Sequence, residues 1–241
     1  MPHNKLAIIT GASKGLGKTL AGWLAAQNYD LVITARHADT LTSVATTLEK
    51  MGATVHALVG DVRDTTHQQA IASIAQQYGQ VDLLFNNAST LGTLPMSPLS
   101  DYDLEALNDV FYTNVIAPIA LIQHLLPYLS HAQGLVVNLS SDAAMGGYAG
   151  WGAYGASKAA LDLVSKTLAN ELSAAGITVI SVDPGDMRTD MHQDAFPNED
   201  ISDRPLPEAT LPFWGWLLGQ DPKSINGLRF QAQSDIWEVS A

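Results

Sequence analysis

The sequence contains no cysteine and comparatively few charged residues. The absence of cysteine from 241 residues excludes a disulfide framework and thiolate chemistry, and it fits a reducing compartment. Lysine and arginine number only 12 against 24 aspartates and glutamates, which gives a formal net charge of −12. So acidic a chain is not expected to bind nucleic acid or an anionic membrane, because both select basic surfaces.

Long apolar runs are also missing. No stretch of about 18 apolar residues occurs, so no transmembrane helix is expected. Residues Met1–Lys5 lead directly into the apolar run Leu6–Ile9, without the charged start and cleavage site of a signal peptide, and a cytoplasmic protein is expected. With 46% hydrophobic residues the chain can bury a sizeable core, and residues 1–241 are predicted to form a single domain.

Short apolar segments alternate with longer segments of helical periodicity. Strands rich in Val, Ile and Leu are predicted at Lys5–Thr10, Leu31–Ala35, Thr54–Val59, Asp82–Asn86, Leu135–Ser140 and Thr178–Asp183, with a seventh candidate at Leu228–Gln231. The predicted helices span Gly15–Asn28, Asp39–Met51, Thr65–Tyr78, Asp101–Leu129 and Ala153–Ala175. This alternation predicts an α/β fold in which helices cover both faces of a parallel sheet.

The alternation stops after Pro184. From there to Trp216 the sequence gains Pro, Asp, Met and Trp and loses the rhythm of strands and helices. A long irregular insertion in a compact domain is often a lid or a binding loop, so residues 186–216 are a candidate substrate-binding loop. A plain surface excursion is the alternative.

The first predicted strand runs into a glycine-rich turn, Thr10-Gly-Ala-Ser-Lys-Gly-Leu-Gly17. Glycine lets the backbone turn tightly and lets a pyrophosphate approach, and the following helix offers unpaired amides to the phosphates. A strand before the turn and a helix after it form the context that a dinucleotide site requires. The predicted phosphate-binding residues are Gly11, Ser13, Lys14, Gly15, Leu16 and Gly17.

The second predicted strand indicates which dinucleotide is bound. An NAD site usually has an acidic residue near the end of this strand, which holds the ribose hydroxyls. Here Ala35 and Arg36 stand at that position, the guanidinium of Arg36 suits a ribose 2′-phosphate, and Lys14 adds a second positive charge. NADP(H) is therefore predicted in preference to NAD(H). Asp61 and Val62, after the third strand, are placed to bind adenine, although a helix N-terminal aspartate is an alternative for Asp61.

Tyr154 and Lys158 lie four residues apart at the start of a predicted helix, so their side chains share one face. A nearby positive charge favours the phenolate and is expected to lower the pKa of the tyrosine from about 10. The pair indicates acid–base chemistry on an oxygen atom. On spacing alone, a tyrosine and a lysine four residues apart are more often an ordinary pair on a helix surface than a catalytic pair.

Further motifs follow in order along the chain, namely Asn86-Asn87-Ala88, Asn114 in the long helix, Ser140-Ser141, and Pro184-Gly185 with Thr189. Together with the glycine turn and Tyr154-x-x-x-Lys158, and in this order and spacing, they resemble the short-chain dehydrogenase/reductase family over almost the whole chain. One departure is Ser89, where the family usually has glycine, and the resemblance holds in spite of it. It implies a Rossmann-type doubly wound sheet of about seven strands in the order 3-2-1-4-5-6-7.

The resemblance also implies an activity, the NADP(H)-dependent reduction of a ketone or aldehyde, reversible to oxidation of a secondary alcohol. Tyr154 would act as general acid and base, and Lys158 would lower its pKa and hold the ribose. Ser141 would orient the carbonyl, because the family's serine commonly lies 13 residues before the tyrosine, and Ser140 is the second candidate. Asn114 would hold a water in a proton relay. Tyr154 and Lys158 are also implied cofactor contacts, and the remaining ones are Asn87, Ala88, Pro184, Gly185 and Thr189.

Three segments are expected to surround the reacting carbon, at 90–98, 142–151 and 186–216. Their apolar residues suit a hydrophobic ketone or aldehyde. The candidate lining residues are Leu91, Leu94, Met96, Met145, Tyr148, Trp151, Met187, Met191, Phe213 and Trp214. The family commonly forms homodimers or homotetramers, and no metal is expected. The alternatives are a non-catalytic NADP-binding regulator or scaffold, and an epimerase or dehydratase.

Overall fold

A seven-stranded parallel sheet organises the computed structural model, which describes residues 4–239. The strands are β1 (Leu6–Thr10), β2 (Asp30–Ala35), β3 (Val55–Val59), β4 (Leu83–Asn86), β5 (Leu135–Leu139), β6 (Thr178–Asp183) and β7 (Arg229–Gln231). They pair in the order β3-β2-β1-β4-β5-β6-β7. The predicted fold class, strand number and strand order are confirmed. The predicted single domain of residues 1–241 also takes in five terminal residues outside the described range.

Helices cover both faces of the sheet, as predicted. They are α1 (Gly15–Ala26), α2 (Ala38–Lys50), α3 (Thr65–Tyr78), α4 (Leu104–Phe111), α5 (Ala117–Ala132), α6 (Ala143–Gly146), α7 (Gly152–Leu172), α8 (Asp190–Ala195), α9 (Leu211–Leu217) and α10 (Pro222–Ile225). Short 3₁₀ turns lie at Leu99–Asp101, Ser173–Ala175 and Pro207–Thr210. Buried residues of α1, α2 and α9 belong to one apolar core, and those of α3 and α5 belong to the core on the other face.

Strand β1 shows why the predicted strands are continuous apolar runs in the sequence. All five of its residues are buried. Ala7 and Ile9 pack into one core, whereas Leu6 and Ile8 pack into the other. Because successive side chains of a strand point to opposite faces, a sheet covered on both faces needs apolar residues at every position.

The boundaries of α3 agree with the prediction because both of its ends carry local signals. The Asp64 side chain accepts a hydrogen bond from the Thr66 amide at 2.8 Å, and Gly79 ends the helix in the left-handed conformation with φ 74°. The long helix, in contrast, was predicted to begin at Asp101. It begins at Leu104 because the Asp103 side chain caps it, accepting from the Ala106 amide at 2.8 Å.

A π-helical segment, Tyr112–Ile116, joins α4 and α5 into one rod. The rod Leu104–Ala132 has the length and mean hydropathy, 1.4, of a helix that could cross a membrane, and 44% of its most apolar window is buried inside the protein. This is weak evidence, since core helices pass the same test. Here α5 packs against α3, and the π segment packs against α7.

The predicted loop 186–216 is partly helical, and its two halves lie in different places. Helix α8 lies in its first half and α9 in its second half. The prediction that Phe213 and Trp214 line the substrate site is wrong, because both side chains are fully buried in the core. Trp214 packs edge-on against Phe85 of β4, and its indole nitrogen donates to the Thr210 hydroxyl at 2.9 Å.

Candidate active site

The carboxyl ends of β1, β4, β5 and β6 meet at one edge of the sheet. The strand order reverses between β1 and β4, since the chain passes from β1 to β2 on one side and reaches β4 on the other. A crevice is expected at such a point in a doubly wound sheet. One long cleft lies there, and it runs from Arg36 after β2, past the glycine turn after β1, to Tyr154 and Lys158 beside the end of β5.

Tyr154 and Lys158 lie in the first two turns of α7 and share one face, as their spacing predicts. Both are buried, with 8% and 2% of their surface exposed. The Lys158 ammonium donates to the Leu139 carbonyl at the end of β5, at 2.7 Å, and lies 5.5 Å from the centre of the Tyr154 ring. The end of β5 therefore fixes the lysine beneath the tyrosine.

Two serines approach the reactive oxygen of Tyr154. Its hydroxyl is within hydrogen-bonding reach of the hydroxyls of Ser141 and Ser89. Ser141 donates to the Asp142 carboxylate at 3.0 Å, and Ser89 donates to the Asn114 side chain at 3.1 Å. A serine hydroxyl can rotate, so each serine can turn its proton to the Tyr154 oxygen when that oxygen is ionised. Hydrogen bonds of this kind stabilise the phenolate and lower the pKa of Tyr154.

Ser140 occupies a different position from Ser141. Its side chain is 3% exposed, and its hydroxyl has no hydrogen-bond partner among residues 4–239. Ser141, the serine at the family spacing, is the one beside Tyr154. In the sequence Ser89 is visible only as a departure from the family's glycine, and no local pattern indicates that its hydroxyl reaches the tyrosine.

The pKa values of the pair differ from the expectation. Burial raises the pKa of Tyr154, and the charges of Asp183 and Asp142 raise it further, against the hydrogen bonds of the two serines. Burial lowers the pKa of Lys158 to about 8, while the charges of Asp162 and Asp183 oppose this change. The predicted lowering of the tyrosine pKa is therefore not found in the protein alone, because desolvation of the phenolate outweighs the hydrogen bonds of the two serines.

Asn114 lies in the π segment, and its side chain is fully hydrogen-bonded. The Oδ1 atom accepts from the Thr90 amide at 2.9 Å and from Ser89, and Nδ2 donates to the Thr90 carbonyl at 3.0 Å and to the Ser157 hydroxyl at 2.9 Å. The side chain thus ties the loop after β4 to α7. π segments often occur at functional sites, where they free backbone groups from the regular ladder. A water at Asn114 would have to be held by such a backbone group.

The glycine turn has the conformation that its sequence predicts. Gly11 has φ +67° and Gly15 has φ +54°, and a side chain at Gly11 would place its Cβ 2.9 Å from the Cα of Ala88. No side chain caps the N-terminus of α1, where Lys14 is the capping residue. The free amides of this first turn fit a phosphate group.

Most of the predicted nucleotide-binding residues line this cleft. They are Gly11, Ser13, Lys14, Gly15, Leu16, Arg36, Asp61, Val62, Asn87, Ala88, Tyr154, Lys158, Pro184 and Thr189. Gly17 does not line it. A Cβ at Gly17 would lie 2.5 Å from both the Asn87 Nδ2 atom and the Gly11 carbonyl oxygen, so this glycine allows close packing beneath the turn. Gly185 lines the neighbouring substrate-side cleft instead.

The charged residues of the nucleotide cleft differ in their exposure and in their ion-pair partners. Arg36 is exposed at the end of β2, whereas Lys14 forms an exposed ion pair with Asp190 of α8 at 3.0 Å. Asp61 pairs with Arg63 at 3.0 Å, a partner that sequence reasoning did not identify. Burial alone would raise the pKa of Asp61, but the hydrogen bonds and charge of Arg63 hold it below the usual range.

A second cleft adjoins Tyr154 on the side away from the glycine turn. Of the predicted apolar lining residues, Leu91, Trp151, Met187 and Met191 border it. Leu94, Met96, Met145 and Tyr148 do not. Asp142, Asp183, Asp186 and His192 also line this cleft. These polar residues come from separate segments of the chain, and no local pattern predicts that they lie in the same cleft.

Comparisons with known proteins agree with this geometry. A family model described as short chain dehydrogenase matches residues 5–200. An uncharacterised oxidoreductase of Escherichia coli K12, YciK, is 33% identical over 96% of this chain and 92% of its own length. A serine 3-dehydrogenase of Agrobacterium fabrum is 31% identical over 91% of this chain and 89% of its own.

Solved structures give the same result. A short chain dehydrogenase of Escherichia coli CFT073 complexed with NADPH has a TM-score of 0.88 and 33% identity, covering 97% of this chain and 98% of that one. Its counterpart from Shigella flexneri 2a, complexed with NADP, has a TM-score of 0.88 and 32% identity, covering 97% and 99%. The family expected from the motifs is therefore confirmed, and the chain belongs to the short chain dehydrogenases.

Proposed function

We propose that this oxidoreductase uses NADP(H) to reduce a ketone or aldehyde, and to oxidise the corresponding alcohol in reverse. The observation that carries the proposal is the position of Tyr154. Its phenol borders both clefts, lies beside the Ser141 hydroxyl and packs above the Lys158 ammonium. A proton donor is thus held where a nucleotide and a carbonyl compound could meet.

The side chains of the site can handle the proton that reduction requires. NADPH, when bound, supplies the hydride that the carbonyl carbon accepts. Tyr154 donates its proton to the carbonyl oxygen as negative charge develops there. Ser141 can rotate its proton from Asp142 to the same oxygen, which stabilises that charge. Lys158, buried and cationic at neutral pH, favours the phenolate that remains on Tyr154.

The proposed preference for NADP(H) rests on Arg36 and Lys14 at the far end of the cleft. Arg36 has no carboxylate ion-pair partner among residues 4–239, so its guanidinium is available to a 2′-phosphate. Lys14 can turn from Asp190 at small cost, since exposed ion pairs contribute about 0–1 kcal/mol. The bound NADP and NADPH of the two neighbouring structures support this preference.

The substrate is proposed to be an uncharged carbonyl compound with an apolar portion. Leu91, Trp151 and Met191 provide apolar walls. The carboxylates of Asp142 and Asp186 border the same cleft, which disfavours a substrate with its own carboxylate or phosphate because like charges repel. The apolar walls favour a ketone or aldehyde with a hydrophobic substituent.

A homodimer or homotetramer is proposed through the long helices. Leu104, Tyr112 and Ile116 of the rod and Leu163 of α7 are large apolar residues with 71%, 42%, 44% and 68% exposure. Such side chains gain most from burial against another protein surface. A second copy of the chain could cover this apolar face through a symmetric contact of the same helices.

The function is tested with a panel of ketones, aldehydes and diketones and both nicotinamide cofactors, read by absorbance. We expect NADPH oxidation by the wild type, and a loss of at least about 100-fold in kcat for Tyr154→Phe with unchanged NADPH binding. Tyr128→Phe, which removes a phenol on α5 away from the clefts, is the matched control. Binding of NADPH without turnover of any carbonyl would favour the non-catalytic regulator, and substantial turnover by Tyr154→Phe would refute the role of the tyrosine.

A further inference from the structure

Arg229 begins the last strand, β7, and connects three elements of the candidate active site. Its Nη2 atom donates to the backbone carbonyl of Ser141 at 2.9 Å, just beyond β5. The same atom donates to the Asp183 carboxylate at the end of β6, at 3.3 Å. Its Nε atom donates to the Asp162 carboxylate on α7, at 2.9 Å. One guanidinium therefore holds the ends of two strands and the helix that carries Tyr154.

This cluster is largely removed from solvent. The side chains of Arg229, Asp162 and Asp183 are 26%, 16% and 5% exposed. The second oxygen of Asp162 has no hydrogen-bond partner among residues 4–239, so Arg229 is the group that satisfies this carboxylate. Partly buried, charge-assisted hydrogen bonds are directional, and a guanidinium can present several donors in a fixed plane.

We propose that Arg229 is a positioning residue of the active site, which fixes the backbone of Ser141 and neutralises the carboxylates of Asp162 and Asp183. The inference rests on the proposed function, because it assigns Arg229 a part in the same reaction. Arg229 borders neither cleft and so acts through its partners.

The first consequence concerns geometry. The Ser141 carbonyl belongs to the residue whose hydroxyl lies beside Tyr154, so a displaced backbone would displace that hydroxyl. A misplacement of about 1 Å can lower a rate about 100-fold. Lysine at position 229 would keep the positive charge, but its single ammonium cannot reproduce the planar contact with the Ser141 carbonyl and both carboxylates.

The second consequence concerns charge. The groups that face the cluster are the carboxylates of Asp142, Asp162 and Asp183 together with Lys158 and Tyr154. The charge of Asp183 raises the pKa of Tyr154, and Arg229 offsets that charge. Loss of the arginine should therefore raise the pKa of Tyr154 further, whereas loss of the Asp183 charge should lower it.

The test compares Arg229→Lys, Arg229→Gln and Asp183→Asn with Lys166→Gln. The control also removes one positive charge, but from the exposed side of α7. For each protein the measurements are Tm, the NADPH Kd by fluorescence, kcat and KM, and the pH dependence of alcohol oxidation. Amide hydrogen exchange in the peptide that covers residues 139–146 gives a readout independent of turnover.

We expect Arg229→Lys to fold, to bind NADPH with a Kd within about twofold of wild type, and to lose at least about tenfold in kcat. Exchange in 139–146 should accelerate, whereas exchange in α2 should not change. The rising limb of the pH profile of alcohol oxidation, where Tyr154 must lose its proton to act as base, should move to higher pH in Arg229→Gln and to lower pH in Asp183→Asn. Opposite shifts are not expected from a role in folding alone.

The proposal would be overturned by wild-type kcat and pH profiles in the folded Arg229 variants, or by losses of kcat that match the loss of folded protein. If Arg229→Gln does not fold, Arg229→Lys and Asp183→Asn decide the same question. If the wild type turned over no carbonyl compound, the proposed function would be refuted, and not the role of Arg229. Hydrogen exchange in 139–146 would then still decide whether Arg229 fixes the Ser141 backbone.

Discussion

The buried ammonium of Lys158 should be visible in the pH dependence of folding, without any cofactor or substrate. The residue is 2% exposed, and burial lowers its pKa from 10.5 to about 8. A charged lysine in this position destabilises the folded protein relative to the unfolded chain, where the ammonium is hydrated. The destabilisation is complete below pH 8 and disappears as the pH rises toward 10.5.

The size of this effect follows from the two pKa values. One pKa unit corresponds to about 1.4 kcal/mol, so the free energy of unfolding should rise by about 2 kcal/mol between pH 8 and pH 10. The sign is positive because the unfolded chain binds more protons than the folded protein in this range. Above about pH 10 the buried Tyr154 gives the opposite slope, since its folded-state pKa is raised, and this sets the upper limit of the measurement.

The assay is urea unfolding at pH values between about 7 and 10, followed by tryptophan fluorescence. The rise should be absent in Lys158→Met and preserved in Lys166→Met, which removes an exposed lysine from the same helix. Subtracting Lys158→Met from wild type cancels the other titrating groups. A difference that stays constant across this range would refute the reasoning, because it would mean that the folded protein holds the ammonium at no electrostatic cost.

Three other substitutions test separate parts of the site. Arg36→Gln should raise the Kd of NADPH about 5- to 30-fold and that of NADH less than about twofold, in fluorescence titrations, because one exposed charge-assisted contact is lost; an unchanged ratio would exclude that contact. Ser89→Gly should move the rising limb of the pH profile of alcohol oxidation to higher pH, since the hydrogen bond of Ser89 lowers the pKa of Tyr154, and an unmoved limb would contradict this role. Gly17→Ala should destabilise the protein by about 1–3 kcal/mol in urea unfolding, because its Cβ would meet Asn87 at 2.5 Å; wild-type stability would show that the turn can relax.

The features that sequence reasoning predicted are those with a local signal. The glycine turn could be placed because a strand precedes it and a helix follows it, and its two left-handed glycines require no tertiary information. Tyr154 and Lys158 could be placed on one face because helical spacing is fixed. The continuous apolar strands predicted a sheet covered on both faces, and both cores are present.

The features that it missed depend on contacts between distant parts of the chain. Arg229 lies 88 residues from Ser141 in sequence, so no local pattern around either residue predicts the hydrogen bond between them. Phe213 and Trp214 stand in an irregular segment like many binding loops, and only the three-dimensional packing reveals that they fill the core. The direction of the Tyr154 pKa was misjudged for the same reason, since a sequence shows the neighbouring charge but not the burial.

The two halves of the segment 186–216 are expected to have different roles, the first in substrate specificity and the second in the stability of the fold. Its first half carries Met187 and Met191 into the substrate-side cleft, and its second half places Phe213 in the core. Met191→Ala should therefore change KM for carbonyl substrates and leave Tm almost unchanged, because the methionine is only partly buried. Phe213→Leu should lower Tm and leave KM of the folded protein unchanged, because a fully buried ring is removed from the core. If both variants changed KM equally, α9 would belong to the substrate site after all, and its burial would have to open during turnover.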